Sequence, residues 1–257
     1  RTGFAMNSNT LDIIQKEAQE CASNKRLSFY DDLAPELSYS RQIFFDHPLI
    51  LRCCEDVLPF LNDEFGHGIK HAKHVAIEAG AILLAECFNR DQERCRHLVL
   101  LAHIAALLHD VCRSEEEHAR EGANLSHYIL KDYPLDDRDR AMIHTAIELH
   151  EAFRPYTPPE DPEEFFLSAA LYDADKFRWG PDNFITTLWE ICDYQEWPLD
   201  KIRNKFPEGL RVIESIQNTF RTHTGQVYGP EFIEAGLEIG DFVYRRLNEA
   251  VRRSAEQ

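Results

Sequence analysis

The chain has 257 residues, with 45 acidic and 28 basic side chains and a formal net charge of −17 at pH 7. This length is enough for one large domain or two small ones with a substantial core. An acidic surface repels nucleic acids and anionic membranes, so the charge argues against both as partners. A local basic pocket for a small phosphate stays compatible with it.

The predicted elements are all helical. Apolar residues recur with the helical period in almost every segment, and Pro and Gly fall mostly between the segments. We predict helices at 10–23, 48–61, 69–88, 92–111, 116–131, 136–152, 162–178, 182–194, 199–220 and 230–254. The pattern predicts an all-α protein, with a single globular multi-helix bundle at 46–257 after a helical N-terminal extension, residues 1–45.

The last predicted helix begins at Gly229-Pro230, because proline is favoured in the first turn of a helix. Its apolar residues, including Phe232, Val243 and Leu247, form an amphipathic face. This face either packs internally, which is the more ordinary outcome, or forms the interface of a homodimer.

Seven cysteines are scattered along the chain without a C-x-x-C spacing. The odd number and the adjacent pair Cys53-Cys54 are typical of free thiols in a reducing compartment. No apolar stretch reaches the length of about 18 residues expected of a membrane span, and the first residues show no signal-peptide pattern. We therefore expect a cytoplasmic protein with free thiols and no membrane partner.

The doublet His109-Asp110 ends the apolar run 98–108. Burial of an unpaired carboxylate is costly, so Asp110 requires a cation, a network of donors or a metal ion. His109 shares a helix face with small residues such as Ala102 and Ala105, which lets other groups approach closely. The doublet is therefore a candidate centre of a metal site.

Helical spacing sorts the other histidines. His71 shares its face with the apolar Val75, and His118 shares its face with Gly122, where another helix can come near. His150 lies on an inward apolar stripe. His144 shares its face with charged residues, so we expect it to be exposed and to have no role in a site.

Two carboxylates, Asp173 and Asp175, end the predicted helix 162–178. Because they are two residues apart, they point to different faces of the helix. At most one of them is expected to meet the site directly. The other is expected to cap a helix or to support a ligand.

Taken in order, His71, His109-Asp110 and Asp175 resemble the H…HD…D signature of the HD-domain superfamily of metal-dependent phosphohydrolases. The segment His71–Val75 resembles the H-x-x-R-V element, with His74 in place of the usual Arg. Four further segments resemble family elements: 108–111 (L-H-D-V), 118–123 (H-x-x-x-G-A), 147–150 (I-x-x-H) and 173–177 (D-A-D-K-F). The motifs cover residues 46–180, and the helices after 180 are covered by architecture only.

The resemblance implies a divalent metal ion (Mn²⁺, Fe²⁺, Co²⁺, Ni²⁺, Mg²⁺ or Zn²⁺) held by His71, His109, Asp110 and Asp175. It implies hydrolysis of a nucleotide or other small phosphate ester by a metal-activated water. Asp110 and His118 would be the catalytic residues, with His118 as a donor or general acid near the phosphate. The candidate phosphate-binding residues are Lys176, Arg113, His74 and His67.

Two alternatives stay open. His118 and His150 complete a set of six ligands for two ions, which resembles the di-iron HD-domain oxygenases that cleave C–C or C–P bonds with O₂. The same six residues also suit a two-metal phosphodiesterase. The second alternative is a non-catalytic HD module that senses or binds a partner. The fully populated set of ligand positions does not favour it.

Overall fold

The computed structural model describes residues 2–61, 68–87 and 91–255, apart from the side chains of 2–9, 194 and 255. These residues form twelve α-helices and one π-helical turn, and the described part of the chain contains no β-strand. The predicted all-α class is therefore confirmed. Among the described residues, no helix is both long enough and apolar enough to cross a membrane.

The chain divides into two compact units. Unit 1 comprises Arg1–Leu27, Phe177–Asn218 and Pro230–Gln257, and unit 2 comprises Ser28–Lys176 and Thr219–Gly229. The segment 28–45, which the sequence analysis assigns to an N-terminal extension, belongs to unit 2. The domain boundary predicted between residues 45 and 46 lies within that unit and stays a prediction.

Unit 2 contains most of the helices. They are α2 (Ser28–Asp32), α3 (Ala34–Asp46), α4 (Pro48–Val57), α5 (Ile69–Glu86), α6 (Gln92–Leu108), α7 (His118–Ile129), α8 (Asp137–Glu148) and α9 (Pro162–Phe177, whose last residue belongs to unit 1). All of these helices except α2 and α3 are among those predicted from the sequence. The centre of the unit is formed by α5 and α6, which bury more than half of their side chains.

Helix α3 was not predicted, because one residue of its buried face is polar. Leu37, Ser40 and Phe44 are its buried residues, and Ser40 interrupts the apolar pattern at the helical spacing. Pro35 is tolerated since it lies in the first turn, where its missing N–H would have no partner within the helix.

Ser40 joins α3 to both central helices. Its hydroxyl donates to the carbonyl oxygen of Ile77 at 2.8 Å and lies 2.9 Å from Nε2 of His103. A side chain at Gly80 would overlap Ser40, and its Cβ would lie only 2.8 Å from His103 Nε2. Gly80 therefore permits the close approach of α3, α5 and α6.

Unit 1 contains the two ends of the chain. Its elements are α1 (Thr2–Ser23), a π-helical turn (Asn183–Thr187), α10 (Leu188–Tyr194), α11 (Leu199–Ile216) and the greater part of α12 (His223–Ala255). Phe177 stacks on Phe232 with ring centroids 4.1 Å apart. Arg246 of α12 binds both carboxylate oxygens of Glu17 in α1, at 2.7 and 2.9 Å.

The last helix begins earlier than predicted. It starts at His223, so Pro230 lies inside it rather than in its first turn. Proline removes one backbone donor from a helix interior and usually bends or ends the helix. Here the helix continues on both sides of Pro230, and the predicted start at residues 229–230 is wrong.

Two of the seven cysteines are not free. Cys87 and Cys95 form a disulfide, and Cys21, Cys53, Cys54, Cys112 and Cys192 are free thiols. The expectation of free thiols throughout is therefore wrong for one pair. The two partners lie at the end of α5 and in the first turn of α6, and their proximity depends on how α5 and α6 pack together.

Candidate metal centre

The candidate metal centre of unit 2 begins where α5 approaches α6. Both helices bury small side chains, such as Ala72 of α5 and Ala105 of α6, and small residues let helix axes approach closely. His71 near the start of α5 and His109 directly after α6 come together, with their Nε2 atoms 3.3 Å apart. Both imidazoles are buried.

Asp110 joins the two histidines. Its Oδ2 atom lies 3.2 Å from Nε2 of His109 and 3.6 Å from Nε2 of His71. Ligand atoms about 2.1 Å from a transition-metal ion lie roughly 3.0–3.4 Å from each other. These three buried side chains, named group 1 below, can therefore hold a metal ion.

A backbone carbonyl orients His109. Its Nδ1 lies 2.7 Å from the carbonyl oxygen of Ala106, and a carbonyl only accepts, so Nδ1 carries the proton of this bond. The Nε2 lone pair of the neutral ring then faces the Asp110 carboxylate, an arrangement that requires a proton or a cation between them. Burial lowers the pKa of His109, but Asp110 and Asp175 outweigh it and raise that pKa. The donor set thus fits a metal ion.

Asp175 adds a carboxylate beside group 1. Its Oδ1 lies 3.2 Å from Nε2 of His71 and 3.8 Å from Nε2 of His109, while its Oδ2 accepts a hydrogen bond from the buried Lys176 ammonium. Burial opposes the ionisation of Asp175, but Lys176 and His71 hold its pKa well below the usual range. Asp175 therefore offers an ionised oxygen to the same position.

A second group of ligands uses the other oxygen of Asp110. Oδ1 of Asp110 lies 3.8 Å from Nε2 of His150, and His118 completes this buried set, named group 2. The His118 and His150 rings are 5.2 Å apart. Since Oδ2 faces group 1 and Oδ1 faces group 2, the Asp110 carboxylate belongs to both.

His150 is oriented in the same way as His109. Its Nδ1 donates to the carbonyl oxygen of Ile147 at 2.6 Å, which leaves the Nε2 lone pair toward Asp110. Burial, with a contribution from the charge of His109, lowers the pKa of His150 to about 3. The ring is therefore neutral at pH 7, as a metal ligand must be.

Arg113 lies at the exposed side of group 2. Its Nη1 donates to Nε2 of His118 at 2.8 Å and is 3.9 Å from Oδ1 of Asp110. Burial and the Arg113 charge both lower the pKa of His118. The side chain of Arg113 is 42% exposed, so its guanidinium contacts both the solvent and the buried cluster.

Asp173 has a different role from Asp175. Its carboxylate accepts hydrogen bonds from the backbone N–H groups of Arg221 and Thr222, both at 2.8 Å, and from the Thr222 hydroxyl at 2.7 Å. Burial raises the pKa of Asp173 to about 7, and these hydrogen bonds oppose the rise. Asp173 thus fastens the segment before α12 to α9, on the helix face away from group 1.

The other residues singled out from the sequence have different outcomes in the structure. His74 is half-buried in α5 and does not belong to group 1 or group 2. His144 is half-buried in α8 rather than exposed, so that expectation is wrong, and it also belongs to neither group. His67 lies outside the described residues. Gly122 behaves as predicted, since a Cβ there would lie 3.4 Å from the carbonyl oxygen of His109.

The carbonyl oxygens of Ala106 and Ile147 are functional groups that the sequence analysis missed. Each belongs to the last turn of a helix, where carbonyls have no donor within the helix. The signal was available, because His109 and His150 both follow the end of a helix by one or two residues. A histidine at such a position can donate to the carbonyl three residues before it, in the last turn of the helix.

Comparison with models of known protein families, with curated proteins and with solved structures gave no match for this chain. The HD-domain superfamily therefore stays a resemblance carried by the motifs. The geometry supports a narrower statement: two buried His/Asp groups share Asp110 and can hold a metal ion.

Proposed function

We propose that this chain is a metal-dependent phosphohydrolase that acts on a nucleotide or another small phosphate ester at the Asp110 cluster. The observation that carries the proposal is the placement of Asp110, whose two oxygens face two separate groups of histidines. Arg113 and Lys176 add two positive charges beside this cluster, in a chain of net charge −17. Local cations in an acidic protein suit an anionic substrate.

The ligands divide between two positions. His71, His109 and Asp175 would hold one divalent ion, and His118 and His150 would hold another, with Asp110 shared. Divalent ions at such a site polarise a phosphoryl oxygen and make water a better nucleophile.

The residues of the chain supply orientation and charge. Ala106 and Ile147 fix the tautomers of the two oriented histidines, so that each ring offers its Nε2 atom to the cluster. Lys176 balances the charge of Asp175 and is one candidate contact for a phosphate. Arg113 is the better placed contact, because it is exposed and already lies against Asp110 and His118.

His118 has two candidate roles. A general acid carries a proton near neutral pH, whereas burial and Arg113 lower the pKa of His118 and favour its neutral form. The neutral ring suits a metal ligand. We therefore assign His118 to group 2 as a ligand, and keep the proton donor as the competing role.

The test begins with protein freed of metal by a chelator and reloaded separately with Mn²⁺, Mg²⁺, Ni²⁺ or Fe²⁺. Phosphate release is then measured with p-nitrophenyl phosphate, nucleoside mono- and triphosphates and cyclic nucleotides. We expect metal-dependent release from at least one ester. Absence of hydrolysis with every metal and ester would refute the proposal.

The pair of groups also favours a second candidate, a di-iron oxygenase. Two ligand sets that share one carboxylate suit a pair of iron ions that activate O₂ together. The same protein, loaded anaerobically with Fe²⁺, would then consume O₂ in the presence of a polar phosphonate or polyol. Oxygen consumption coupled to product, without phosphate release from esters, would favour this candidate over the hydrolase.

A further inference from the structure

Unit 1 contains an apolar cleft of about 400 Å³, a volume within the range of small-molecule sites. The π-helical turn, α10 and α11 form it, together with the residues around them. Its lining consists of Trp179, Asn183, Phe184, Leu188, Ile191, Trp197, Ile202, Lys205, Phe206, Glu208, Gly209, Leu210, Val212 and Ile213. All of them belong to unit 1, whereas the metal-ligand groups belong to unit 2.

Trp197, one of the lining residues, carries an unused hydrogen-bond donor. Its Nε1 is buried, and no acceptor for it exists among the described residues. Trp189, in contrast, donates its Nε1–H to the carbonyl oxygen of Phe184 at 2.7 Å. A buried indole N–H without an acceptor costs free energy, so an acceptor atom from a ligand would relieve that cost.

Two lysines give this end of the cleft a positive charge. The ammonium groups of Lys201 and Lys205 lie 4.5 and 6.0 Å from the centre of the Trp197 ring, and Lys205 also lines the cleft. Glu208 is exposed at the rim. The donor and the two cations thus gather around one ring, and apolar side chains form most of the remaining lining.

The backbone around the cleft is irregular. Residues 183–187 form a π-helical turn, which occurs frequently at functional sites. Pro207 lies inside α11, beside the lining residues Phe206 and Glu208, and removes one backbone donor from that helix. Both irregularities thus lie in segments that contribute lining residues to the cleft.

We propose that this cleft binds a small amphipathic carboxylate, of the class of medium-chain fatty acids. The apolar lining contacts the hydrocarbon part, Trp197 donates its N–H to a carboxylate oxygen, and Lys205 balances the negative charge. This site is independent of the proposed hydrolase, so the failure of either proposal leaves the other standing.

Isothermal titration calorimetry with decanoate tests the proposal, with methyl decanoate and decylamine as matched ligands. We expect decanoate to bind at one site per chain, methyl decanoate to bind more weakly because it lacks the charge, and decylamine not to bind. Decylamine binding as tightly as decanoate, or no binding of decanoate, would overturn the proposal.

Three variants separate the contributions. Trp197→Phe removes the donor and should weaken both decanoate and its methyl ester about tenfold. Lys205→Gln should weaken decanoate alone. Gly209→Leu should block the cleft without a clash, since a Cβ at Gly209 meets nothing within 4 Å.

Trp189→Phe is the control, because its N–H is already bonded within the protein. It should lower the melting temperature and leave the ratio of decanoate to ester affinity unchanged. Unchanged decanoate binding in Gly209→Leu, with an unchanged melting temperature, would show that the ligand binds elsewhere and would refute the assignment.

Discussion

Oδ1 of Asp110 lies 3.8 Å from Nε2 of His150, although Oδ2 of the same carboxylate belongs with His71 and His109. One side chain therefore takes part in two ligand groups. Each group holds two imidazoles, and each is incomplete without the shared carboxylate. Variants of this residue and of its partners should have different effects on metal content.

Replacement of Asp110 by Asn should remove metal from both groups and abolish hydrolysis. The amide keeps the shape of the side chain but loses the negative charge that holds cations. We expect metal affinity to fall by at least about 100-fold, more than is typical for loss of a supporting residue. Metal content by mass spectrometry and phosphate release measure the effect, and His144→Gln is the control. Full activity of Asp110→Asn would contradict the site assignment.

Replacement of His150 by Ala should lower the metal content of the loaded protein from two ions to one. Group 1 retains its ligands in this variant, because His150 is not one of them, although its ring packs edge-on against the His109 ring at 5.0 Å. His71→Ala should give the mirror result, with the ion at group 2 retained. Titration with Mn²⁺ gives both stoichiometries. A single ion in the unmodified protein, lost in His71→Ala and kept in His150→Ala, would show that group 2 does not bind metal.

Asp173→Asn and Asp175→Asn should separate stability from metal binding. Asp173 accepts three hydrogen bonds from Arg221 and Thr222 on its two oxygens. The Asn side chain would turn an NH2 donor toward one of these donors, which should cost about 2 kcal/mol and lower the melting temperature by about 5 °C. Its metal content should stay near normal. Asp175→Asn should do the opposite and reduce metal affinity. Equal loss of metal in both variants would argue against separate roles.

The stability of the fold should fall as pH decreases below 6.5, partly because of His103. Burial lowers the pKa of His103 from 6.5 to about 3, so between these values the unfolded chain binds a proton that the folded chain does not. Its contribution is therefore complete above pH 6.5 and is lost toward pH 3. Chemical denaturation at pH 7.5, 6.0 and 5.0 should show a steeper loss for the unmodified protein than for His103→Gln, by up to about 1.4 kcal/mol per pH unit. Equal slopes would show that His103 does not carry this dependence.

The same substitution should have opposite effects at two glycines. Gly80→Ala places a methyl group against Ser40 and His103 and should destabilise the protein by about 1–3 kcal/mol. Gly209→Ala lies in α11 with open space around the new methyl group, and should stabilise it by up to about 1 kcal/mol. Melting temperatures of the two variants give the comparison, and an unchanged or higher melting temperature of Gly80→Ala would contradict the packing described for Gly80.

Much of the site was predictable because it depends on helical spacing. His150 and His144 are six residues apart on one helix and its end, and the apolar stripe alone indicated which of them is buried. Asp173 and Asp175 point to different faces because two residues on a helix are about 200° apart. The helices that carry these residues were predicted for the same reason.

The missing parts required contacts between distant elements. Helix α3 has a polar residue, Ser40, in its buried stripe, and only its bonds to Ile77 and His103 explain why that residue is buried. The Cys87–Cys95 pair follows from the packing of α5 against α6, which no cysteine spacing encodes. The start of α12 before Pro230 depends on contacts such as those of Thr222 with Asp173.

The sequence by itself determined an all-α chain and the set of inward-facing histidines and carboxylates, because the helical period is a local property of the backbone. Only the tertiary structure decided that Asp110 turns one oxygen to His109 and the other to His150. That placement depends on how closely α5, α6 and the end of α8 pack, and packing distances between helices are set by side chains far apart in the chain.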